Sequence, residues 1–271
     1  MTLVNSSSTT RAPVAPLPLS IFIIAKNEAA RLPTTLMAVN GLANEIVLVD
    51  SGSTDGTQDV ARAFGAKVIE THWRGYGPQK RFAEEQCRNR WLLNLDSDEE
   101  ATPELVTEIR ELFASGEPPL DGYGFPIAEI LPGDSDPGHF AHALTPIRLY
   151  RFDRGRYADA LVHDRVEMQP GTKTRILRSR VNHFSIETIS QCIVKLNGYS
   201  DQQIDDMIAR KRRVSPARIW FEFPFAFLKS YFIRRHFLRG RLGFVAAINY
   251  AFFRFMRIAK ALERQDKTDI K

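Results

Sequence analysis

The chain has 271 residues, of which 44% are hydrophobic and 25% charged. That allows one large domain, or a domain with an appendage, around a true core, and it excludes a disordered or fibrous chain. Cys87 and Cys192 stand too far apart for a metal-type spacing and suggest no disulfide framework, which suits a reducing compartment. The charge is uneven: residues 210–271 carry 16 Lys/Arg against 4 Asp/Glu, a net of +12, while the rest of the chain is acidic. A polyanionic partner for the C-terminal part follows from that asymmetry.

Residues 1–18 are Ser/Thr-rich and then Pro-rich. They lack the basic start and apolar stretch of a signal peptide and read as a mobile leader. Residues 19–25, 45–49, 66–70 and 91–95 are short apolar runs, predicted as buried strands. Between them, residues 33–39, 57–64 and 79–88 read as helices, with Gly41 and Gly65 as stops. This alternation predicts an α/β fold, a Rossmann-like, mostly parallel sheet flanked by helices. Thr102-Pro103-Glu104 opens a further helix to about Phe113, with a cap, a first-turn proline and an acid near the positive helix end. Residues 122–130, 145–152, 161–168 and 174–184 are expected strands, with a Gly/Pro/Asp-rich loop at 131–140. Residues 189–208 read as helix, and a basic aromatic tail follows.

In an open α/β sheet, ligands bind beyond the carboxyl ends of the strands. Three polar segments fall there: Lys26-Asn27-Glu28, Asp50-Ser51-Gly52-Ser53-Thr54-Asp55-Gly56-Thr57 and Asp96-Ser97-Asp98. Asn27 can bond its own loop, and Asp55 can cap the helix that begins near Gly56 while also meeting a ligand. Asp50 ends an apolar strand, where an acid needs a partner. Asp96 and Asp98 lie two apart, and neighbouring carboxylates repel unless a cation or proton sits between them. Mg2+ and Mn2+ take such oxygen ligands together with phosphate. Alone, Asp-x-Asp also suits a solvated loop, the more so beside Glu99 and Glu100; the other two segments favour a ligand site. Lys80, near a predicted helix N-terminus, reads either as a phosphate partner or as a surface lysine.

The segments Ile23-Ile24-Ala25-Lys26-Asn27-Glu28, Val49-Asp50 through Thr57 and Leu95-Asp96-Ser97-Asp98-Glu99 resemble the inverting family 2 glycosyltransferases. The resemblance covers about residues 19–200 and is greatest to lipopolysaccharide core β-1,4-glucosyltransferases of the WaaE/KdtX type. It implies a GT-A-like fold. It places Asn27, Glu28 and Asp50 around the base and ribose, with Asp55 counted among the donor-binding residues. It sets Asp96 near the ribose and makes Asp98 the ligand of a divalent cation, Mg2+ or Mn2+, on the diphosphate. Residues 75–83 are similar to a family segment with Gly and then Gln-Lys, here Gln79-Lys80, although Arg81 stands where Asn is common. Arg148 matches a position implied to help hold the donor. His183, Lys195 and Tyr199 are similar in kind to residues late in the family's domain.

Inverting transfer needs a carboxylate to take the proton of the attacking hydroxyl. Val162-His163-Asp164 resembles the family's Val-His-Glu. Asp164 is therefore the expected base, and His163 an orienting group or metal neighbour. The bland alternative pairs Asp164 with Arg165 or Arg156.

In the tail, Phe244, Ile248, Phe252, Phe255, Ala259 and Leu262 follow helical spacing, with Arg254, Arg257 and Arg264 on the other face. The longest uncharged run, residues 242–253, is shorter than the roughly 18–20 residues of a spanning helix. Residues 210–262 are expected to lie on an anionic membrane surface. The stripe could instead pack on the enzyme's own core, and nucleic acid is disfavoured because no such module is recognisable.

The expected organisation is a glycosyltransferase domain at residues 19–205 and a membrane-associating helical extension at 206–271. The expected reaction moves a hexose, glucose from UDP-glucose, onto a lipopolysaccharide inner-core sugar or related glycolipid of the cell envelope, on the cytoplasmic face of the membrane. A polyprenyl-phosphate sugar synthase and a non-catalytic membrane adaptor are the rivals.

Overall fold

The computed structural model describes residues 15–131, 133–134, 136–137, 143–160, 164–185, 188–210 and 212–269. In chain order the elements are β1 (Leu17–Ala25), α1 (Leu32–Ala38), β2 (Ala43–Asp50), α2 (Thr57–Ala63), β3 (Lys67–Glu70), α3 (Tyr76–Glu85) and β4 (Trp91–Asn94). Then come β5 (Glu99–Ala101), α4 (Pro103–Phe113), β6 (Gly122–Gly124), β7 (Ile127–Glu129), β8 (Ala143–Leu144), β9 (Ile147–Arg151), β10 (Gly155–Tyr157) and β11 (Val166–Met168). The last are β12 (Thr174–Ile176), β13 (Val181–His183), α5 (Ile189–Ala209), α6 (Ile219–Leu228) and α7 (Gly240–Asp269). They form two compact units that interleave in sequence: Met1–Ser97 with Ala101–Gly124 and Pro146–Ser179, and Asp98–Glu100 with Phe125–Thr145 and Arg180–Lys271.

The first unit holds a seven-stranded sheet in the order β12-β6-β9-β4-β1-β2-β3. Strand β1 is parallel to β2 and β4, and β2 to β3; β9 runs antiparallel between β4 and β6. The expected mostly parallel α/β sheet is thus present, with one reversed strand inside it. Strand β1 is buried on both faces from Leu19 to Ala25, which is why it reads as a continuous apolar run rather than an alternating one. Phe22, Ile24, Val47, Val49, Leu92, Tyr150 and Tyr157 build the core around it. Ala25 pairs with Asp50, and Phe22 with Asn94, so the chain leaves β1, β2 and β4 at one edge of the sheet. Helix α4 begins as its sequence dictates, with the Thr102 hydroxyl accepting from the Leu105 amide and Pro103 in the first turn.

Two expected strands are each divided. Residues 122–130 separate at Phe125-Pro126 into β6 and β7, which belong to different sheets, because proline lacks the amide a continuous ladder needs. Residues 174–184 separate into β12 and β13 at a turn whose Arg178 and Ser179 amides donate to the Glu108 carboxylate. Of the expected strand 161–168, residues 161–163 lie outside the described residues, and the strand observed is Val166–Met168. Its hairpin partner β10 was not anticipated. Gly155 allows that hairpin, since a Cβ there would meet Met168 Sδ at 2.5 Å.

The second unit has a four-stranded sheet, β5-β13-β7-β8, and the helices α5, α6 and α7. Thr188 and Gln191 form a capping box at the start of α5. Ile204 and Val214 pack with Ile258 and Ala261 of α7. The seam that α7 buries is Ala247, Ala251, Ile258 and Ala261; Phe244 and Phe252, of the stripe expected to meet the membrane, are exposed, so the alternative in which that stripe packs on the core does not hold for them. Small residues let the helices approach closely and leave the bulky ones outside. Four cations of α7 are held by protein partners: Arg254 pairs with Glu222 at 2.5 Å, Arg257 donates to Gln203 at 2.8 Å, Lys260 pairs with Asp201 at 3.0 Å, and Arg264 pairs with Asp205. Burial opposes ionisation of Glu222, but bonds from Arg218 and Arg254 prevail and lower its pKa. Among the described residues one helical stretch, His236–Lys267, is long and apolar enough to cross a membrane by length and composition, although no uncharged run of that length exists.

Two glycines give opposite expectations. At Gly77 in α3 a Cβ would lie 2.2 Å from the Ala158 carbonyl oxygen, so Gly77→Ala should cost about 1–3 kcal/mol. Gly198 in α5 has open space, so Gly198→Ala should add about 0.5–1 kcal/mol. Urea unfolding of the two variants checks both signs.

Candidate active site

The loops after β1 and β2 are stitched together by their own polar groups. Asn27 sits in the left-handed region at φ 57°. Its amide donates to Ser53 Oγ at 2.8 Å, and its Oδ1 accepts from the Thr54 amide at 2.9 Å. The Glu28 amide donates to Thr57 Oγ1 at 2.8 Å, and the Glu28 carboxylate pairs with Arg31 at 2.6 Å. Asp55 accepts from the amides of Ala29 and Thr57 and from the Thr57 hydroxyl, so it closes the turn before α2, whose N-cap is Gly56, and ties that turn to the first loop. The Thr57 hydroxyl and Ala29 amide hold its pKa below the ordinary value. Asp50 is fully buried. It accepts from the Gly52 amide at 3.0 Å, the Ser53 amide at 2.8 Å, the Ser53 hydroxyl and Gln58 Nε2 at 2.8 Å. The partner this acid needs is its own turn, held open by Gly52 at φ 84°. Four of the expected donor-binding residues are therefore brought together, each already engaged in shaping the rim.

The centre of the first unit is a buried charge cluster. Lys80 is 1% exposed, far from the surface lysine that one reading allowed. Its ammonium lies 2.7 Å from Asp96 Oδ1, 2.5 Å from Asp164 Oδ2 and 5.2 Å from the centre of the Tyr157 ring. Arg148 donates to Asp96 Oδ2 at 3.2 Å, to Tyr157 Oη at 3.1 Å and to Asn94 Oδ1; Tyr157 Oη in turn donates to Asn94 Oδ1 at 2.6 Å. Burial and the Arg148 charge act to lower the Lys80 pKa, yet Asp96, Tyr157 and Asp164 outweigh them and raise it. Burial likewise opposes the Asp96 anion, but Arg148 and Lys80 hold its pKa far below the carboxylate range. Burial pushes the Tyr157 phenol up to about 12. Asp164 does not pair with Arg165 or Arg156: Arg165 binds Glu167, and Arg156 binds Glu84 and Glu85. Next to Lys80, Gln79 is fully buried. It donates to Ser51 Oγ at 3.1 Å, and its Oε1 has no bonding partner among the described residues.

In the second unit, Asp98 Oδ1 lies 3.3 Å from His183 Nε2. The Phe184 amide donates to the Asp98 carbonyl at 2.9 Å, which fixes the end of β13 beside the start of β5. A carboxylate oxygen and an imidazole nitrogen at this distance fit two ligands of an Mn2+-like ion, with water and phosphate oxygens completing the shell. Among the described residues no group of three or more His, Cys, Asp or Glu could hold a metal by itself. His163 lies outside the described residues.

Sequence reasoning did not single out Asn94, Tyr157 or Glu84. Asn94 had a signal, as a polar residue in the run Leu92-Leu93-Asn94-Leu95; Tyr157 and Glu84 had none. His183 was a weaker candidate than its place beside Asp98 warrants.

A mostly parallel sheet with hydrogen-bonded polar loops along one strand edge defines the class, an α/β protein whose ligand site lies beyond the carboxyl ends of its strands. The model of the glycosyl transferase family 2 matches residues 20–179. An uncharacterized glycosyltransferase of Rickettsia bellii is 38% identical over 253 residues, covering 90% of this chain and 86% of that protein. The lipopolysaccharide core biosynthesis glycosyltransferase LpsC of Rhizobium meliloti is 31% identical over 264 residues, covering 92% and 93%. The chain belongs to glycosyl transferase family 2. Among solved structures, S. aureus TarS 1-349 in complex with UDP is similar at 19% identity and a TM-score of 0.37, covering 45% of this chain and 38% of that one. Glucosyl-3-phosphoglycerate synthase from Mycobacterium tuberculosis, in complex with Mn2+, UDP and its product, is similar at 24% identity and a TM-score of 0.32, covering 42% and 44%.

Because the Asp96 pKa is depressed, its contribution to stability is present above the ordinary carboxylate range and is lost as pH falls through the lowered value. Because the Lys80 pKa is raised, its contribution is present below the ordinary lysine value and is lost only as pH rises through the raised one. The pair therefore stays ionised from about pH 4 to 10. Lys80→Met should cost about 2 kcal/mol, by leaving Asp164 without its ammonium and Asp96 with Arg148 alone. The contribution of the Asp96–Lys80 pair in the wild type should be the same at pH 5 and pH 8, both inside that window. Urea denaturation at the two pH values measures both effects.

Proposed function

We propose that the chain is an inverting, metal-dependent hexosyltransferase that moves a hexose from a nucleoside diphosphate sugar, UDP-glucose in the first instance, to a lipopolysaccharide core sugar or related glycolipid. The observation that carries this reading is the unequal treatment of two acids two residues apart. Asp96 is neutralised by Lys80 and Arg148, whereas Asp98 faces His183. Asp98 and His183 would hold Mg2+ or Mn2+, which would supply positive charge to the departing diphosphate. Asn27, Glu28, Asp50, Asp55 and Asp96 would line the nucleoside side of the donor, with Arg148 securing Asp96. The 31% identity to LpsC supports the lipopolysaccharide acceptor. An acceptor carried in lipid and the basic tail, residues 210–262, support a peripheral location on the cytoplasmic face of an anionic membrane. The glycosyltransferase part is read as residues 19–205 and the membrane-associating part as 206–271.

In this mechanism the acceptor hydroxyl attacks the anomeric carbon from the face opposite the diphosphate, and Asp164 takes its proton. Lys80 fixes the Asp164 carboxylate through its 2.5 Å contact, and His163 adjoins it in sequence. The same contact favours a second reading. A carboxylate already bound to an ammonium is a weakened base, and a phosphate acceptor, as in polyprenyl-phosphate sugar synthesis, needs no strong base. Asp164→Asn separates the two: a fall of about 100-fold or more in kcat is expected with a sugar acceptor, and almost no change with a phosphate acceptor.

The primary test measures release of nucleoside diphosphate from a panel of nucleotide sugars, with Mg2+, Mn2+ or EDTA. Donor binding is expected to need metal and to be lost in Asp98→Asn and His183→Ala. Tight donor binding indifferent to metal and to both substitutions would overturn the metal assignment.

A further inference from the structure

Helix α6 and the turns after it carry an apolar face that the second unit does not cover. Glu222, Ala226 and Ser230 recur every four residues and are buried. Through Glu222 this side is pinned to Arg254 of α7. On another face Trp220, Phe221, Phe225, Leu228, Phe232 and Ile233 are exposed, with Phe225 at 67% and Ile233 at 74%. The spacing of Phe221, Phe225, Leu228 and Phe232 places them on one side of a continuous helix. The helix widens at Lys229–Ile233 and then turns sharply, with Arg235 at φ 60°, into the short helix His236–Arg239 and on to α7. Phe227 stacks on Tyr231, and Phe237 and Phe244 meet these rings edge to face, which braces the bend. At Gly243 a Cβ would lie 1.9 Å from the His236 carbonyl oxygen, so the bend is tightly closed.

The segment that carries this face is almost wholly basic, although Arg239 at its end pairs with Asp134 at 2.5 Å. Glu222 is the only acid between residues 210 and 262, and it is buried, while Arg212, Lys229 and Arg241 are exposed. An exposed aromatic face rimmed by cations complements an anionic bilayer, with the rings at the acyl boundary and the cations at the headgroups. Helix α7 is the less suitable contact. Its Arg254, Arg257, Lys260 and Arg264 are committed to α5 and α6, and a spanning α7 would carry Asp201, Asp205 and Glu222 with it into hydrocarbon.

We propose that α6 and the bend to Arg239 form an interfacial wedge that inserts into one leaflet of an anionic membrane, while α7 stays out of the bilayer as the wedge's support. This rests on the peripheral-membrane reading above and names the element that performs it.

The test uses the full chain and sedimentation with vesicles of phosphatidylcholine alone or with phosphatidylglycerol. Phe225→Asp combined with Phe232→Asp is compared with Phe252→Asp on α7. Circular dichroism and nucleotide-sugar binding serve as checks that each variant is folded. The wild type is expected to sediment with anionic vesicles at least tenfold more than with neutral ones. The α6 double variant should lose that binding at least tenfold, and Phe252→Asp should keep it. Undiminished binding of the double variant, or loss confined to Phe252→Asp, would overturn the wedge and leave the membrane reading standing. A wild type that binds neither vesicle would overturn both. A wild-type dimer that the double variant dissociates, without vesicle binding, would identify a second copy of the chain as the occupant and overturn the proposal.

Discussion

The Lys80 ammonium lies in the interior of the first unit, between Asp96 Oδ1 at 2.7 Å and Asp164 Oδ2 at 2.5 Å. A buried cation without partners would shed its proton or unfold its surroundings. Three segments distant in sequence are arranged to prevent this: α3 supplies Lys80, the end of β4 leads to Asp96, and the chain after β10 supplies Asp164. The approach of α3 to residues 158–160 is possible only because residue 77 has no side chain, and the Gly77 amide uses that closeness to donate to the Ala160 carbonyl at 3.1 Å. The expected base is thus positioned by the same cation that balances the first acid of the Asp-x-Asp segment.

That constraint divides the acidic segment. Asp96 is claimed within the first unit by Lys80 and Arg148, and Ser97 is anchored there by the Thr35 hydroxyl, which donates to its carbonyl at 3.0 Å. From Asp98 the chain belongs to the second unit, where the Asp98 carboxylate lies 3.3 Å from the His183 imidazole.

Most of the first hundred residues were legible because each strand is a dense apolar run and each helix is bounded by caps or glycines; β1, β2, β4 and α4 lie within two residues of their expected bounds. Residues 122–130 and 174–184 were misread because a change of sheet leaves little trace in hydropathy, even though Pro126 marked one of the two breaks. The polar loops were legible as a group, but not their internal bonding. Asp50 and Asp55 are recognisable as acids at strand and helix ends, while the way Asn27 links to Ser53 and Thr54 depends on register. The burial of Lys80 was not legible, since nothing local to Gln79-Lys80-Arg81 shows which side of α3 faces the core. In the tail, spacing identified a helix, and Phe244 and Phe252 of the expected stripe are exposed, but it did not show that a line of alanines would make the buried seam.

The central claim is that Asp98 with His183, and not Asp96, holds a divalent ion against the donor's diphosphate. Anomalous X-ray scattering from crystals grown with UDP and Mn2+ tests it most directly. The account predicts a single manganese peak within coordination distance of Asp98 and His183, with Lys80 still bridging Asp96 and Asp164. A manganese peak on Asp96 with Lys80 displaced, or bound UDP with no manganese peak, would contradict it.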